Sequence, residues 1–540
     1  MTVWIWLASC HRAPNEEIPL ADYDAIIVGA GHNGLATATL LQRGGMRVLC
    51  IEKNKYVGGM CSTVELFDGY KFEIAGSTMF PLADAVVEDL QLHQHGFNPI
   101  QHEIMSCNIG DPGDPPVILY VDGMRQAQHI VEVHGADAAK GMLDLFQYVQ
   151  GPARAMNRFE PLAKPKRLSD ILAAAKPGEE REAIKRVFFG SAMDILDQFF
   201  PDPGKHKVMR AFLAFLSVQS AYKGPYTPGS AACLAYSLAI PPGGQLMHKL
   251  KGGLGAVSEG LADYFQELGG ELRLHTTVEK ILTEHGNAAG VELHGGERVT
   301  SRVTVSNLDH TSTFTRLMDE ADLPADFIYA IRQIDHRGAY VQMQVALSEL
   351  PEFTEEWAFL NEGEMRGQMG IFNSAELLEE SWDACRRGRV PDDVCIGFQI
   401  PSLLDDSLAP PGKHAATLFA YHFPVTAPRA EHGQLKDVMA ERIIEKITRY
   451  APNFRESILH QATFAPYHYE SMFGCTNGDF CHGLIHPDQL IEFRPVMGAD
   501  GGYRTPVPAL YMCGSGCAPG PGVTFLPGYN SAHVILEDLA

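Results

Sequence analysis

The sequence predicts an α/β protein whose main parallel sheet is assembled from three separate stretches, with an α+β unit inserted between them. Three observations predict it. A strand, a glycine-rich turn, a helix and a second strand follow one another over residues 24–52. A glycine-led helix and several strands occupy residues 252–307. An apolar strand running into a glycine turn and a closing helix spans residues 509–536. The expected boundaries are 21–80, 246–310 and 491–540 for the discontinuous unit, 81–245 and 311–490 for the inserted one, and a disordered leader at 1–20.

The first stretch is the most informative. Asp24-Ala25-Ile26-Ile27-Val28 is a short apolar run rich in β-branched residues, as a buried parallel strand should be. It enters Gly29-Ala30-Gly31-His32-Asn33-Gly34, and Leu35–Leu41 continues as a helix that Gly44-Gly45 stops. Arg47–Ile51 then gives a second strand ending at Glu52. Gly29 permits the tight turn, Gly31 lets the backbone approach a diphosphate, and Gly34 lets the helix lie close to the sheet. The helix N-terminus offers unpaired N–H groups and a partial positive charge to that anion. Glu52, about twenty residues on, is where a carboxylate accepts hydrogen bonds from a ribose diol. A bare G-x-G-x-x-G would be weak evidence; here strand, turn, helix, strand and acid fall in order, which reads as a dinucleotide site.

Directly after Glu52 come Lys53-Asn54-Lys55-Tyr56-Val57-Gly58-Gly59-Met60. A glycine pair just beyond the ribose acid resembles the extended fingerprint of the glutathione-reductase-2 type flavoproteins, which include amine oxidases and phytoene desaturases. That resemblance implies FAD, bound non-covalently, with Lys53, Gly58, Gly59 and Met60 on the cofactor. Met60 stands where Arg is common. Gly252-Gly253-Leu254-Gly255 and the strands after it resemble the family's second FAD segment, in which the backbone around Val278 would hold the adenine. An NAD(P)H site there is rejected, because no β-branched strand precedes the glycines. Ala509–Gly516 and Gly520–Leu536 resemble the third segment, putting Gly514, Gly522, Val523 and Thr524 against the flavin. Pro527 suits the first turn of the closing helix.

Three features look more narrowly like phytoene-desaturase-related proteins: Gly29–Leu35, Phe480-Cys481-His482-Gly483, and Arg494-Pro495 with Tyr503-Arg504-Thr505-Pro506. The resemblance runs from about Tyr23 to the C-terminus. It implies a discontinuous Rossmann-like FAD-binding domain with an inserted α+β substrate domain. It also implies hydride transfer between flavin N5 and a small hydrophobic or conjugated substrate, by desaturation, saturation or isomerisation. Ala518-Pro519-Gly520-Pro521-Gly522 departs from the family's His-Pro-Gly-Gly-Gly run, and Phe525, Leu526 and Pro527 stand where small residues are common. Those bulky groups are expected to reshape the cavity over the flavin.

In the insertions, Val187-Phe188-Phe189, Met193, Ile195-Leu196, Phe199-Phe200 and Ala211–Leu216 supply apolar stripes on a largely helical pattern. They read as core packing, or together as the roof of an apolar cavity or a membrane-facing entrance. Ala339–Ala346 alternates like a strand flooring the same cavity. His482 is the first candidate for an active-site polar residue, with a backbone-bonded structural histidine as its alternative. Tyr503 and Arg494 rank second; Arg494 could instead pin a loop or bind a substrate carboxylate.

Composition narrows the classes. Of 540 residues, 43 are Lys or Arg and 66 Asp or Glu, a formal charge of −23 that opposes nucleic-acid binding. The basic stretch at Lys164, Lys166 and Arg167 reads as a solvated loop. No apolar run is long enough to span a membrane. Val3–Cys10 ends like a lipoprotein cleavage box but lacks a basic n-region and a full-length apolar one. Eleven scattered cysteines suit reduced thiols, and with them a cytoplasmic protein reaching at most a membrane surface. Cys513 with Cys517, and His482 with His486, are discounted as metal sites. Two other functions remain open on the same fold: an amine or alcohol oxidase, and a non-catalytic flavin-binding scaffold. The electron acceptor, quinone or dioxygen, is left open.

Overall fold

The computed structural model describes residues 21–241, 247–338 and 340–540, so the leader expected at 1–20 lies outside the described residues. Its central parallel sheet runs, in spatial order, Glu271–Arg273, Val48–Ile51, Tyr23–Val28, Arg298–Ser306 and Leu510–Met512. Ala25–Val28 and Val48–Ile51 are buried throughout, as β-branched runs flanked by strands on both sides must be. The first half of Arg298–Ser306 is also the last strand of an antiparallel meander with Val278–Glu284 and Asn287–Leu293.

Helix His32–Arg43 packs between helix Leu526–Leu539 and helix Gly255–Glu267, so all three glycine-led stretches meet on one face of this sheet. Leu35, Leu41, Val257, Leu261, Phe265, Phe525 and Tyr529 form the core there. Each such apolar side chain contributes roughly 1.5–3 kcal/mol of burial free energy.

A second seven-stranded sheet has the order Ile458–Phe464, Val341–Leu347, His414–Ala420, Ile396–Gln399, Gln368–Ile371, Ile104–Ile109, Val117–Tyr120. Two of its strands, Ile104–Ile109 and Val117–Tyr120, come from the insertion whose pattern reads as helical. They are short, and the first pairs in parallel with a strand from residues 368–371. Val341–Leu347 is a strand, as its alternation predicts, but every residue in it is buried. Its polar positions face a buried network instead of water. Gln344 Nε2 donates to the Glu73 carbonyl (2.8 Å) and Gln344 Oε1 accepts from the Thr417 hydroxyl (2.6 Å). Gln342 Oε1 accepts from the Tyr469 hydroxyl (2.9 Å). Ala339 lies outside the described residues.

The helices between residues 123 and 237 pack on Val187, Phe188, Met193, Ile195, Leu196, Phe200, Leu213 and Phe215. The predicted stripes are therefore core. Phe189 is the exception at 61% exposure. Among the described residues no helix is long and apolar enough to cross a membrane.

Candidate functional site

The parallel strands end side by side at Gly29, Glu52, Asn307 and Cys513, and the site is built in the crevice beyond them. Gly29 takes φ +99°, which a side chain would resist. A Cβ on Gly34 would lie 2.1 Å from the Gly29 carbonyl oxygen, so helix and turn approach as closely as glycine allows. Helix His32–Arg43 starts at Gly31 with no side-chain cap, leaving its first N–H groups for an anion. Gly58 donates to the Ala30 carbonyl (2.8 Å), and Gly58 and Gly59 both have positive φ. A Cβ on Gly59 would rest 3.5 Å from the Gly31 Cα, so the glycine pair closes over the first turn. The Met60 carbonyl accepts from Gly76 N (2.8 Å), fixing the next segment.

Glu52 is buried at the end of its strand. Oε2 accepts from Ala30 N (3.0 Å), and Oε1 from Asn54 N (2.9 Å) and Nδ2 (3.0 Å). Burial raises its carboxyl above the ordinary range, against the pull of those N–H groups. Thr276 N donates to the Glu52 carbonyl (2.9 Å), which brings the segment leading to Val278 alongside; Val278 pairs with Leu293 in the meander. Lys53 turns away: its Nζ donates to the Ser471 carbonyl (2.7 Å), tying this strand end to helix Pro466–Phe473.

Asn33 is 1% exposed and works as a spacer between the two glycine-led helices. Its Oδ1 accepts from Gly528 N (3.4 Å), and its Nδ2 reaches the Ser515 hydroxyl (3.5 Å). A Cβ on Gly528 would sit 2.1 Å from the Asn33 carbonyl oxygen. Val523, Thr524 and Phe525 lead into helix Leu526–Leu539; Phe525 caps nothing, and the first turn is met instead by the Thr524 hydroxyl on Leu526 N (3.4 Å) and by Asn33 Oδ1 on Gly528 N. Phe525 and Leu526 do not intrude on a cavity as the sequence suggests. They are fully buried in the parallel-sheet core, with Phe525 edge-on to the His32 ring (5.5 Å).

The three catalytic candidates separate. Arg494 is 2% exposed, and its guanidinium bonds are all to backbone carbonyls: Ser515 (2.7 and 3.3 Å), Cys481 (2.5 Å), Gln489 (3.2 Å) and Gly483 (3.4 Å). That is a loop clamp. The Tyr503 hydroxyl donates to the Ala518 carbonyl and accepts from Asn530 Nδ2 (2.9 Å), a second clamp, and burial pushes its phenol far up. His482 differs. It takes φ +55°, and its Nδ1 is inaccessible and unpartnered. Burial keeps its ring below the ordinary histidine range, against Asp309 and Asp479, so it is neutral at pH 7. Asp479 shapes its loop, accepting from Cys481 N (3.0 Å), Gly483 N (2.7 Å) and His336 Nδ1 (3.3 Å).

Two further histidines share this turn. A Cβ on Gly514 would come 3.2 Å from His482 Nδ1, and one on Gly516 2.6 Å from His310 Nδ1. Burial, and less so His482, lowers the His32 ring to about 4; burial lowers His310 to about 3. His32 Nε2, both His310 ring nitrogens and His482 Nδ1 lack a hydrogen-bond partner. Cys513 and Cys517 are buried, with thiols pushed up by burial, hence inert. Among the described residues no cluster of His, Cys, Asp and Glu is placed to hold a metal ion.

Three other residues carry no recognisable signal in the sequence. Asn307 Nδ2 donates to the Gly29 carbonyl (3.2 Å) and would be 2.7 Å from a Cβ on Gly31, so it sets the floor of the turn. Arg158 and Tyr236 reach the Gly520–Gly522 loop from the helical insertion, and the Tyr236 hydroxyl donates to the Pro521 carbonyl (2.7 Å). Beyond them an aromatic wall runs from Tyr340 to Phe480 (4.8 Å), Tyr421 (5.0 Å) and on to Phe215 and Phe372. The Tyr340 hydroxyl anchors it on the Ala75 carbonyl (2.9 Å).

A glycine cradle, a buried carboxylate at a strand end, the uncapped N-terminus of helix His32–Arg43 and orphaned ring nitrogens form a set that a dinucleotide would satisfy. Residues 34–445 match the flavin containing amine oxidoreductase family. The chain belongs to that family. Pyridine nucleotide-disulfide oxidoreductase domain-containing protein 2 of Rattus norvegicus is 30% identical, over 96% of this chain and 94% of the relative. Phytoene desaturase of Neurospora crassa is 26% identical, over 95% and 84%. A solved structure of wild-type putrescine oxidase bound to putrescine shares the fold, with a TM-score of 0.61 at 18% identity, covering 96% and 98%. This flavin amine oxidoreductase family member is thus an FAD-dependent oxidoreductase related to phytoene desaturase, and the predicted Rossmann-like FAD fold with an inserted α+β unit is present.

Proposed function

We propose that the protein transfers a hydride between an apolar, unsaturated organic substrate and its flavin, as a desaturase, saturase or double-bond isomerase. Bound FAD supplies the hydride acceptor or donor. The uncapped first turn of helix His32–Arg43, with Gly29, Gly31 and Gly34, takes the diphosphate, and Asn33 holds that helix against helix Leu526–Leu539. Glu52 accepts the ribose hydroxyls, and the backbone at Val278 faces the adenine. Gly58, Gly59 and Met60 lie along the cofactor. Gly514, Gly522, Val523 and Thr524, ahead of helix Leu526–Leu539, face the flavin, where the dipole of that helix stabilises negative charge. Lys53 serves as a tie to helix Pro466–Phe473. His482, neutral and with Nδ1 unpartnered, is the group proposed to hold a proton; Arg494 positions its loop through the Cys481 and Gly483 carbonyls, and Tyr503 ties the Ala518 carbonyl to Asn530 of helix Leu526–Leu539.

The observation that carries this reading is the aromatic wall at Tyr340, Tyr421 and Phe480, which offers an apolar body dispersion contact and no charge. The phytoene desaturase relative supports it. An amine oxidase, the second reading on this fold, would bring a cationic substrate toward Arg158 and Arg494, two buried guanidiniums that repel it. The test is anaerobic reduction of the purified, yellow protein. Conjugated or saturated hydrocarbon donors should bleach the flavin band near ~450 nm, and primary amines should not. Bleaching by amines alone, with stoichiometric peroxide in air, would overturn the proposal.

A further inference from the structure

Arg158 is a buried cation without an anion. It is 6% exposed, held between aromatic rings, with its guanidinium carbon 4.2 Å from the centre of Tyr236, 4.5 Å from Phe80 and 5.1 Å from Phe159. Nη1 donates to the Tyr236 carbonyl (2.5 Å); Nε is buried with no partner. Among the described residues no carboxylate is within ion-pair distance, and none is among the main charges acting on it. Burial pulls its pKa below the ordinary arginine value, with only Tyr236 and thiols pulling back. Arg494, close by, shows the contrast: its guanidinium is saturated by carbonyls of its own loop.

Removing a guanidinium from water is costly unless its remaining N–H groups are met. The aromatic faces attract the charge but cannot accept a bidentate hydrogen bond. Arg158 Nη2 has no protein partner and points at Gly522, whose φ of +127° favours glycine. A Cβ there would lie in ordinary contact, 3.5 Å from Nη2 and from the Phe80 ring, so the glycine leaves bare backbone and no side chain against the donor. The loop it faces, Gly520–Thr524, is the one placed against the flavin in the reading above. On the far side stands the apolar wall, reached through Tyr236, which packs in the same cluster as Tyr340, Tyr421 and Cys481.

We infer that Arg158 is a carboxylate-binding residue of the substrate pocket, so that the substrate is an unsaturated or long-chain monocarboxylic acid whose apolar body lies along the aromatic wall. A planar guanidinium with two adjacent free donors, Nε and Nη2, matches a carboxylate's two oxygens. The surrounding rings exclude water and admit an alkyl or polyene chain. This deepens the hydride-transfer reading by naming the substrate class, and it rests on that reading for the pocket's location.

The test is binding, read separately from turnover. Octanoate, octanamide and 1-octanol are titrated into the FAD-loaded protein, following both heat and the flavin spectrum. Octanoate should bind at least tenfold tighter than octanamide and octanol. Arg158→Gln should weaken octanoate by about 10- to 100-fold, the factor of a charge-assisted hydrogen bond, and leave octanol and the flavin content unchanged. Arg158→Lys should recover part of the loss. Equal affinity for octanoate and octanamide in the unaltered protein overturns the inference, and needs no variant to fold. Arg158→Gln that loses FAD, or shifts the flavin potential, while still preferring octanoate overturns it too and assigns the cation to the cofactor. A protein that binds octanoate through Arg158 yet reduces its flavin only with amines keeps this inference and sinks the hydride-transfer reading instead.

Discussion

Gly34→Ala tests the cradle most directly. The new methyl would sit 2.1 Å from the Gly29 carbonyl oxygen, 3.0 Å from Asn307 Nδ2 and 3.2 Å from Asn307 Cβ. Ordinary contact begins roughly 1.3 Å farther out, so helix His32–Arg43 must slide off the turn or the Gly29 peptide must rotate. Overpacking of this kind costs about 1–3 kcal/mol of stability. The larger effect falls on the anion site, because the displaced N–H groups are those left for the diphosphate. Losing one charge-assisted hydrogen bond of about 1.5–3 kcal/mol weakens FAD by about 10- to 150-fold. The assay is titration of apo-protein with FAD by flavin fluorescence, alongside the flavin-to-protein absorbance ratio after purification. Gly433→Ala is the control, since nothing lies within 4 Å of its added Cβ. A Gly34→Ala protein that binds FAD as tightly as the Gly433→Ala control would refute the placement of the diphosphate at this turn.

Arg494→Met should lower the unfolding free energy by about 3 kcal/mol or more, because the Cys481, Gln489 and Ser515 carbonyls lose their donor; urea titration reads it. Tyr503→Phe should cost about 1–3 kcal/mol and leave the rate within a few-fold; a hundredfold loss of kcat at unchanged stability would make the phenol catalytic instead of a clamp. Acidification should destabilise the fold between pH 6.5 and about 3. His310 and His422 are held near 3 by burial, so the unfolded chain binds more protons across that window. Each ring is worth roughly 3 kcal/mol or more at pH 7, lost as pH falls toward 3, and a urea midpoint that does not move between pH 7 and 4.5 would contradict this. Denaturation should release FAD, identifiable by chromatography, since the expected attachment is non-covalent; flavin that stays with the precipitate would show a covalent link.

The nucleotide half was legible because its signals are local. Gly29–Gly34, the strand before it and Glu52 after it are contiguous, and each glycine answers a steric demand within a few residues. The second sheet was not legible. Its parallel pair joins Cys107–Ile109 to Met369–Ile371, and no window spans that distance. The strand Ile104–Ile109 carries Ser106 and Asn108 on a face that is buried, so the period-two pattern is blurred. His482 stood out by its motif, whereas Arg158 looked like any surface arginine. Its burial follows from Phe80 and Tyr236, which are distant in sequence and adjacent only after folding. Phe525 misled for the opposite reason: its bulk suggested an intrusion, and the positive φ that turns it into the core leaves no mark in the sequence.

The placement of strand Leu510–Met512 beside Arg298–Ser306 sets a timetable. A ribosome delivers the chain at about 5–20 residues per second, N-terminal end first. The edge strand of the nucleotide sheet and the helix that braces Asn33 therefore emerge only after both long insertions have been made. Until then strand Arg298–Ser306 presents an unpaired edge at its Thr304–Ser306 end, a template for the wrong partner. The nucleotide sheet is thus completed late, by strand Leu510–Met512, rather than serving whole as an early nucleus. A newborn chain of this topology depends on being shielded, or on rapid completion, far more than a protein whose whole nucleotide sheet is contiguous in sequence.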